Sequence, residues 1–164
     1  MKLYYDIFET SLGQFAAAVN EHGALVGAGF GGKEALPRWA GELSHDPKAV
    51  ASARKQIEEY LDGKRETFTL KLAPRGTEFQ QSVWTALQKI PFGKTNSYGE
   101  IAAKVRKPNA ARAIGQAVGR NPICLVIPCH RVIASDGGIG GFAFGVKTKR
   151  SILSLEGQLF DHRD

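Results

Sequence analysis

The residues best suited to chemistry lie together in residues 126–135, which read VIPCHRVIAS. This segment sets Cys129 directly before His130 and Arg131, at the end of an apolar, strand-like run that Pro128 closes. The thiolate is the reactive form of cysteine, and a neighbouring base or positive charge favours that form. The pattern therefore makes Cys129 a candidate nucleophile and His130 its candidate base.

Adjacency in the sequence does not by itself establish contact, because neighbouring side chains of a strand point to opposite faces. The acid that orients His130 must come from elsewhere in the chain. Glu156, in SLEG near the C-terminus, is a candidate because it follows the last helical pattern. A small buried cysteine beside an unrelated surface histidine would show the same local pattern.

The composition favours a reduced, water-soluble protein. The chain has 164 residues and two cysteines, Cys124 and Cys129. Two cysteines cannot form a disulfide framework or a four-cysteine zinc site. No apolar run approaches the roughly 20 residues of a membrane span, and the N-terminus has no signal-peptide core. We therefore expect a cytoplasmic protein without a membrane segment.

Charge is distributed unevenly between the two halves of the chain. Residues 75–164 carry 13 Lys and Arg against 6 Asp and Glu, whereas residues 1–74 carry 9 against 10. A basic surface attracts the phosphate backbone of nucleic acids through counterion release. Nucleic acid is thus a candidate partner of the second half, and a merely soluble basic surface is the alternative.

The first half predicts a small α/β domain, residues 1–74, with an antiparallel sheet that serves as a scaffold. Strands are predicted over LYYDIF, QFAAAV and GALVGAGFGG, and a half-buried strand over ETFTLKL. A helix is predicted over DPKAVASARKQIEEYLDG, where Asp46 caps the start, Pro47 suits the first turn and Gly63 ends the helix.

The second half, residues 75–164, predicts a mostly helical domain that begins near APRGT. Thr77 with Gln80 and Ser97 with Glu100 fit the capping-box pattern at two helix starts. Asn109 is a candidate cap for the next helix, AARAIGQAVG. Two short helices joined by a tight turn in a basic region indicate a helix-turn-helix, although helical hairpins are common. The fold class is therefore α/β, of the α+β type.

The second of these two short helices has an unusual composition for a reader of base sequence. Its first turns carry Ala110, Ala111 and Gly115, with Arg112 as the one long cation. Sequence-specific recognition helices use Asn, Gln, Arg or Lys aimed at base edges. Small side chains instead let a backbone approach closely, so this helix would follow DNA shape. Packing of the alanines against a neighbouring helix is the alternative.

The segment from residue 79 to residue 157 resembles the O6-alkylguanine-DNA alkyltransferases, also called methylated-DNA–protein-cysteine methyltransferases. The resemblance is carried by SYGEIA, AARAIGQAVGRNP, IPCHRV, GGFAFG and LEG, in that order and at the family's spacing. It implies an enzyme of DNA repair by direct damage reversal. Such an enzyme moves the alkyl group of O6-alkylguanine onto its own cysteine, once per molecule.

The resemblance also implies roles for individual residues. Cys129 would accept the alkyl group, and His130, oriented by Glu156, would deprotonate it through a water molecule. Asn121 would brace the turn that presents the cysteine. Tyr98 would hydrogen-bond the guanine ring as it leaves.

A base pocket is implied as well, and it departs from the commonest family pattern. Backbone groups of Cys129, Val132 and Ala143 would bind the base. Phe142 replaces a frequent tyrosine, and Ala143 replaces a serine of some members. Phe144 would lie at the mouth of the alkyl pocket, with a place in the core as the alternative. Outside the pocket, Cys124 stands where many relatives carry proline.

On the DNA side, the resemblance implies base flipping, because the target carbon is inaccessible in a stacked duplex. Arg112 would enter the stack, and Ala110, Ala111 and Gly115 would line a helix in the minor groove. The implied partner is double-stranded DNA containing O6-alkylguanine, bound by a monomer without a cofactor. We expect no metal site, because the zinc of some relatives needs an N-terminal Cys/His cluster and residues 1–74 contain no cysteine.

Two other readings of the sequence remain open at this stage. In one, the chain is a lesion-binding or regulatory helix-turn-helix protein in which Cys129 is only a sensor. In the other, it is a cysteine hydrolase that uses Cys129 and His130. The hydrolase reading is disfavoured because catalytic Cys and His residues of hydrolases usually come from distant parts of the chain.

Overall fold

The computed structural model of the protein describes residues 2–37 and 42–160, and the chain divides into two units. The first unit comprises Met1–Arg75 and Pro122–Val126, and the second comprises Gly76–Asn121 and Ile127–Asp164. The short Pro122–Val126 segment belongs to the first unit because Ile123 forms a parallel bridge with Ala28. The sequence predicts these five residues to lie in the second domain, residues 75–164.

The first unit contains a four-stranded sheet with the order β3-β2-β1-β4. Its strands are β1 (Lys2–Thr10), β2 (Gly13–Asn20), β3 (Leu25–Phe30) and β4 (Glu42–His45). The first three strands pair antiparallel, as the sequence predicts, whereas β4 pairs in parallel with β1. The apolar run in β2 is continuously buried from Phe15 to Val19.

Helix α1 (Pro47–Leu61) contacts β1 and β2 of this sheet. Asp46 caps its start by accepting hydrogen bonds from the N–H groups of Lys48 and Ala49. Gly63 follows its end with φ of 76°, a left-handed conformation that glycine adopts without steric cost. The predicted caps and the predicted helix are therefore confirmed.

The strand predicted over ETFTLKL is wrong. Residues 66–72 form no strand, and only Leu72 makes an isolated bridge, with Leu25. The physical reason lies in Gln56 of α1. Its side-chain oxygen accepts the backbone N–H of Thr69, and its amide donates to the Thr69 hydroxyl, each at 2.9 Å. A side chain thus satisfies a backbone group that a neighbouring strand would otherwise bind.

The second unit is mostly helical, as predicted. It contains α2 (Glu78–Gln88), α3 (Tyr98–Lys104), α4 (Ala111–Gly119) and α5 (Val146–Leu155), with the two-residue strands β5 (Asn96–Ser97) and β6 (Val132–Ile133). Both predicted capping boxes are present, at Thr77 with Gln80 and at Ser97 with Glu100. The buried indole of Trp84 donates a hydrogen bond of 2.8 Å to the carbonyl of Ala117, which joins α2 to α4.

The turn between α3 and α4 differs from the prediction at the start of α4. The N-cap residue is Ala110, which makes no side-chain cap, so Asn109 does not cap the helix. The turn uses backbone bonds instead. Arg106 is left-handed with φ of 60°, the N–H of Lys107 bonds to the carbonyl of Ala102, and the N–H of Ala110 bonds to that of Lys107. These bonds end α3 and place Ala110 at the start of α4.

None of the helices within the described ranges has the length and apolar character needed to cross a membrane.

The Asp46 cap yields a stability prediction for the first unit. Asp46→Ala leaves two helix N–H groups without their acceptor, and we expect the free energy of unfolding to fall by about 1 kcal/mol. Urea denaturation measures this change. Asp46→Asn is the matched control, because asparagine retains a capping oxygen and should stay close to the wild-type value. Equal losses in both variants would contradict the capping role.

Candidate active site

The segment that leads to Cys129 is a series of tight turns. Leu125 has φ of 76°, and the N–H of Val126 bonds to the carbonyl of Cys124. Pro128, with φ of −80° and ψ of 65°, forms a second three-residue turn, in which the N–H of Cys129 bonds to the carbonyl of Ile127 at 2.8 Å. These are γ-turns, and the first is of the rare, strained left-handed kind. The strand-like run that the sequence suggested is therefore wrong here.

Asn121 binds the same carbonyl that this second turn uses. Its side-chain amide donates a hydrogen bond of 2.8 Å to the carbonyl oxygen of Ile127. That oxygen thus accepts both from Asn121 and from the N–H of Cys129. The backbone directly before Cys129 is held from two directions.

Cys129 is the first residue of a short 3-10 turn, Cys129–Arg131, and 8% of its surface is exposed. Neither cysteine of the chain is in a disulfide. Strand β6 follows this turn and pairs in parallel with β5. Because β5 leads directly into α3, the pairing brings Tyr98, the first residue of that helix, to the side of the cysteine segment.

His130 and Glu156 form a buried pair. The imidazole Nε2 lies 2.7 Å from the Glu156 Oε2, and both side chains are fully buried. Burial, followed by the charges of Arg131 and Lys149, lowers the pKa of His130 well below its usual range, so the ring is neutral. The other ring nitrogen, Nδ1, is buried and has no hydrogen-bond partner among the described residues. An imidazole that donates its Nε2–H to a carboxylate carries a lone pair on Nδ1.

Arg131 contacts the same carboxylate through two nitrogens. Its Nε donates to Oε1 of Glu156 at 2.9 Å, and its Nη2 donates to Oε2 at 3.0 Å. Burial lowers the pKa of Arg131 to about 10, so the guanidinium is charged at neutral pH. Two effects oppose each other at Glu156. Burial raises the pKa of Glu156 above its usual range, whereas the two-point contact with a guanidinium stabilises the carboxylate form, which is the form that accepts these hydrogen bonds.

Lys149 is a buried cation that the sequence analysis did not single out. Its Nζ donates to the carbonyl of Val132 at 2.6 Å and to that of Gly141 at 3.0 Å. Burial lowers the pKa of Lys149 to about 8, and the negative charge of Cys129 opposes this effect. Positive charge near a cysteine favours the thiolate. Lys149 precedes Glu156 by seven residues, which is two helical turns, so helical spacing could have found it.

The phenol of Tyr98 also interacts electrostatically with Cys129. Burial, and secondly the charge of Cys129, raise the pKa of Tyr98, so the hydroxyl stays protonated and can donate a hydrogen bond. Gly140 lies close by with φ of 76°. A Cβ there would lie 3.4 Å from Lys149 Nζ and 3.6 Å from Tyr98 Cε2. The glycine therefore leaves space directly beside these two side chains.

The predicted pocket residues lie on β6 and on the loop before α5. Val132 is fully buried, and Ala143 is exposed. Phe142 and Phe144 are half-buried, and their rings meet edge to face with centroids 5.9 Å apart. Phe144 is consequently not a core residue, which was the alternative to a place at the pocket mouth.

The predicted DNA-binding residues lie on α4 and at its start. They lie apart from the cysteine cluster, which is the group of Tyr98, Cys129, His130, Arg131, Lys149 and Glu156. Ala111 and Arg112 are exposed, and Ala110 and Gly115 are half-buried. The core face of the helix is formed by other residues, Ile114, Ala117 and Val118. A Cβ at Gly115 would meet no atom within 4 Å. The helix surface at Gly115 thus borders open space. Separately, no group of His, Cys, Asp or Glu residues suited to a metal ion occurs in the described ranges.

Two sequence models of one family match this chain. The 6-O-methylguanine DNA methyltransferase, ribonuclease-like domain, matches residues 3–74. The 6-O-methylguanine DNA methyltransferase, DNA binding domain, matches residues 78–158. The chain therefore belongs to the 6-O-methylguanine DNA methyltransferase family. This membership confirms the resemblance drawn from the sequence, and with it the expected fold class and DNA-repair methyltransferase activity.

Individual relatives agree with the family assignment along nearly the whole chain. The methylated-DNA–protein-cysteine methyltransferase of Methanosarcina barkeri is 47% identical over 94% of this chain and 97% of its own length. The constitutive methylated-DNA–protein-cysteine methyltransferase of Bacillus subtilis is 40% identical over 93% of this chain and 94% of its own length. The Mycobacterium tuberculosis OGT, solved in complex with DNA, superposes with a TM-score of 0.84 at 37% identity, over 93% of this chain and 92% of that one.

The buried Lys149 predicts a pH-dependent contribution to stability. Its pKa is about 8 in the folded protein and about 10.4 for an unfolded lysine, so between these values the unfolded chain binds more protons. The wild type should therefore gain stability with rising pH relative to Lys149→Met, by about 1.5 kcal/mol between pH 8 and pH 9.5. Urea denaturation of both proteins at the two pH values measures this gain.

The exposed Lys147 provides the matched control, because Lys147→Met removes a lysine of the same helix. Its difference from the wild type should not change over this pH range. A pH-independent difference for Lys149→Met as well would contradict a lowered pKa at Lys149.

Proposed function

We propose that this protein repairs O6-alkylguanine in double-stranded DNA by moving the alkyl group onto Cys129. The observation that carries the proposal is the buried contact of His130 with Glu156, directly beside Cys129, in a chain of the 6-O-methylguanine DNA methyltransferase family. A cysteine with a neighbouring base that is itself oriented by a third group has the arrangement of an activated nucleophile.

The proton of the thiol moves to His130 in this proposal. Glu156 accepts the Nε2–H of the imidazole, and the lone pair on the buried Nδ1 takes the thiol proton through a bridging water molecule. Two features support this route. The imidazole is neutral because burial lowers its pKa, and Nδ1 has no competing partner among the described residues. The thiolate that results lies near the positive charge of Lys149.

The transfer step is a displacement at the alkyl carbon. A bond forms between that carbon and Sγ of Cys129, and the bond from the carbon to O6 of guanine breaks. Guanine then leaves with the electron pair as an anion, and a proton from water neutralises it, while His130 returns the thiol proton to water. Tyr98 is suited to assist because its pKa is raised and its hydroxyl remains a donor beside the cysteine. Asn121 keeps the cysteine turn in place during this step.

The product limits each molecule to one reaction. S-methylcysteine is a thioether without an easy leaving group, and no base can release it. The protein is consequently consumed with its substrate, and the reaction needs no cofactor. We further propose that it acts as a monomer in the cytoplasm, where thiols stay reduced.

Helix α4 is the proposed DNA-binding element. Exposed Ala111 and half-buried Ala110 and Gly115 allow the backbone to approach the minor groove closely. Arg112 is exposed on the same helix and would occupy the space that the flipped base leaves. Binding of this kind ignores sequence, which suits a protein whose lesions occur anywhere. The carbonyl of Val132 and the backbone of Ala143 would then bind the base, beside the rings of Phe142 and Phe144.

The central test uses intact-mass analysis after incubation with duplex DNA that contains O6-methylguanine. The wild type should gain one methyl group, located on the peptide with Cys129. Cys129→Ala should gain none and keep its DNA affinity, whereas the matched control Cys124→Ala should react like the wild type. DNA binding without any adduct in the wild type would instead indicate a lesion-binding protein. A methyl group found on Cys124, and none on Cys129, would refute Cys129 as the acceptor.

Arg112→Ala should slow repair in duplex DNA far more than reaction with the free modified base. Flipping costs a few kcal/mol, and the vacated stack would lose the side chain that fills it. Single-turnover rates on both substrates measure the effect. Arg120→Ala, an exposed cation at the end of the same helix, controls for loss of charge and should retain duplex repair better. Equal loss on both substrates would place Arg112 in the pocket or the fold.

Phe144→Gly should raise reactivity with O6-benzylguanine by a larger factor than repair of O6-methylguanine. The half-buried phenyl ring beside Phe142 narrows the space for a large alkyl group, and a benzyl group must displace it from its rotamer. Inactivation rates with both compounds, together with melting temperatures, test this prediction. A large loss of melting temperature without a gain in benzylguanine reactivity would refute a role at the pocket mouth.

A further inference from the structure

The carboxylate of Glu156 contacts two side chains of the turn that begins at Cys129, those of His130 and Arg131. We propose that Arg131 is a positioning residue that keeps Glu156 in its carboxylate form and so decides which ring nitrogen of His130 carries the proton. The consequence for catalysis rests on the proposed function, in which His130 is the base. The assignment of the ring proton rests on the contacts that Glu156 makes with Arg131 and His130.

The guanidinium is held from several sides. Two of its nitrogens bind the two oxygens of Glu156, at 2.9 and 3.0 Å. The third, Nη1, donates to the carbonyl of Ile90 at 2.7 Å, and the ring of Phe92 lies with its centroid 5.9 Å from the guanidinium carbon. With 8% of the residue exposed, this is a fixed, two-point contact in a region of low dielectric.

The proton on His130 depends on the charge of Glu156. Oε2 of Glu156 contacts both Nη2 of Arg131 and Nε2 of His130. A carboxylate oxygen can only accept, so Nε2 must then carry the hydrogen and Nδ1 the lone pair. A protonated Glu156 could instead donate its O–H to Nε2. The neutral ring would then carry its hydrogen on Nδ1 and could not take a proton from the thiol.

Burial and the guanidinium act in opposite directions on this choice. Burial favours the protonated form of Glu156, and the positive charge of Arg131 favours the ionised form. The other titratable groups of the cluster are Cys129, Tyr98 and Lys149. Lys149 lies on α5, as does the helix end that carries Glu156, but its hydrogen bonds go to the carbonyls of Val132 and Gly141. Arg131 therefore supplies a direct ionic contact to Glu156 at both carboxylate oxygens.

The first measurement is ¹⁵N NMR of histidine-labelled protein, in which the two ring nitrogens report the tautomer directly. In the wild type at pH 7, His130 should carry its hydrogen on Nε2. In Arg131→Gln it should move to Nδ1, whereas Arg131→Lys, which keeps a positive charge, should retain it on Nε2. The matched control is Arg65→Gln, which removes an arginine paired with Glu59 in the first unit and should leave His130 unchanged.

The second measurement is the pH dependence of methyl transfer in single-turnover reactions. At pH 7 the Arg131→Gln protein should react about 100-fold more slowly, the lower range of what a positioned general base contributes. Its rate should recover as the pH rises and Glu156 ionises, and the wild type should not show this recovery. A merely structural role for Arg131 would give an equal loss at every pH together with a lower melting temperature.

Two results would overturn the proposal. One is a hydrogen on Nδ1 of His130 in the wild type at pH 7, which needs no variant and so applies even if Arg131→Gln fails to fold. The other is an unchanged Nε2–H tautomer in folded Arg131→Gln. If the wild type does not methylate Cys129 at all, the proposed function fails, but the NMR result still decides the role of Arg131.

Discussion

The carboxylate of Glu156 is the group on which the rest of the site depends. It is nearly inaccessible to water, and three N–H groups from two consecutive residues surround its oxygens. A buried charge is costly unless it is paired and hydrogen-bonded. The contacts of His130 and Arg131 meet this requirement, and in doing so they tie the end of α5 to the turn that carries Cys129. Loss of either contact would leave the carboxylate only partly compensated.

The charges of the cluster also act on the sulfur of Cys129. Apart from Tyr98, which stays protonated, the cluster contains two groups that are negative when ionised, Cys129 and Glu156, and two buried cations, Arg131 and Lys149. His130 stands between them as a neutral ring, because its pKa is held far below its usual range. A neutral base next to a thiol, with a cation nearby to support the thiolate, is suited to a reaction that needs sulfur as a nucleophile. The γ-turn at Pro128 and the amide of Asn121 restrain the backbone that presents this sulfur.

The two tasks of a repair methyltransferase use different parts of the second unit. The cysteine cluster is buried and rich in hydrogen bonds, as a site for one defined reaction should be. The outer side of helix α4 is instead exposed to solvent, with small residues, open space beside Gly115 and a single exposed arginine in its first turn. Close approach of a backbone to DNA needs few side chains, whereas proton transfer needs several in fixed positions. This division agrees with the family to which the chain belongs.

The sequence by itself determined the features that depend on short-range interactions. Helix starts at Asp46, Thr77 and Ser97 follow from side chains that bond to backbone groups two or three residues away, so local patterns reveal them. The IPCHRV motif and its companions likewise identified the family, because motif order and spacing are properties of the chain. The α+β class followed from the same local patterns.

Only the tertiary structure decided how distant groups satisfy one another. The backbone of Thr69 binds Gln56 and not a strand, and the run before Cys129 turns sharply where a strand was expected. Strand β4, the pairing of Arg131 with Glu156 and the carbonyl partners of Lys149 also lay beyond local patterns. Hydrogen-bond partners and pKa values depend on which groups exclude water from each other. That exclusion exists only once the chain is folded.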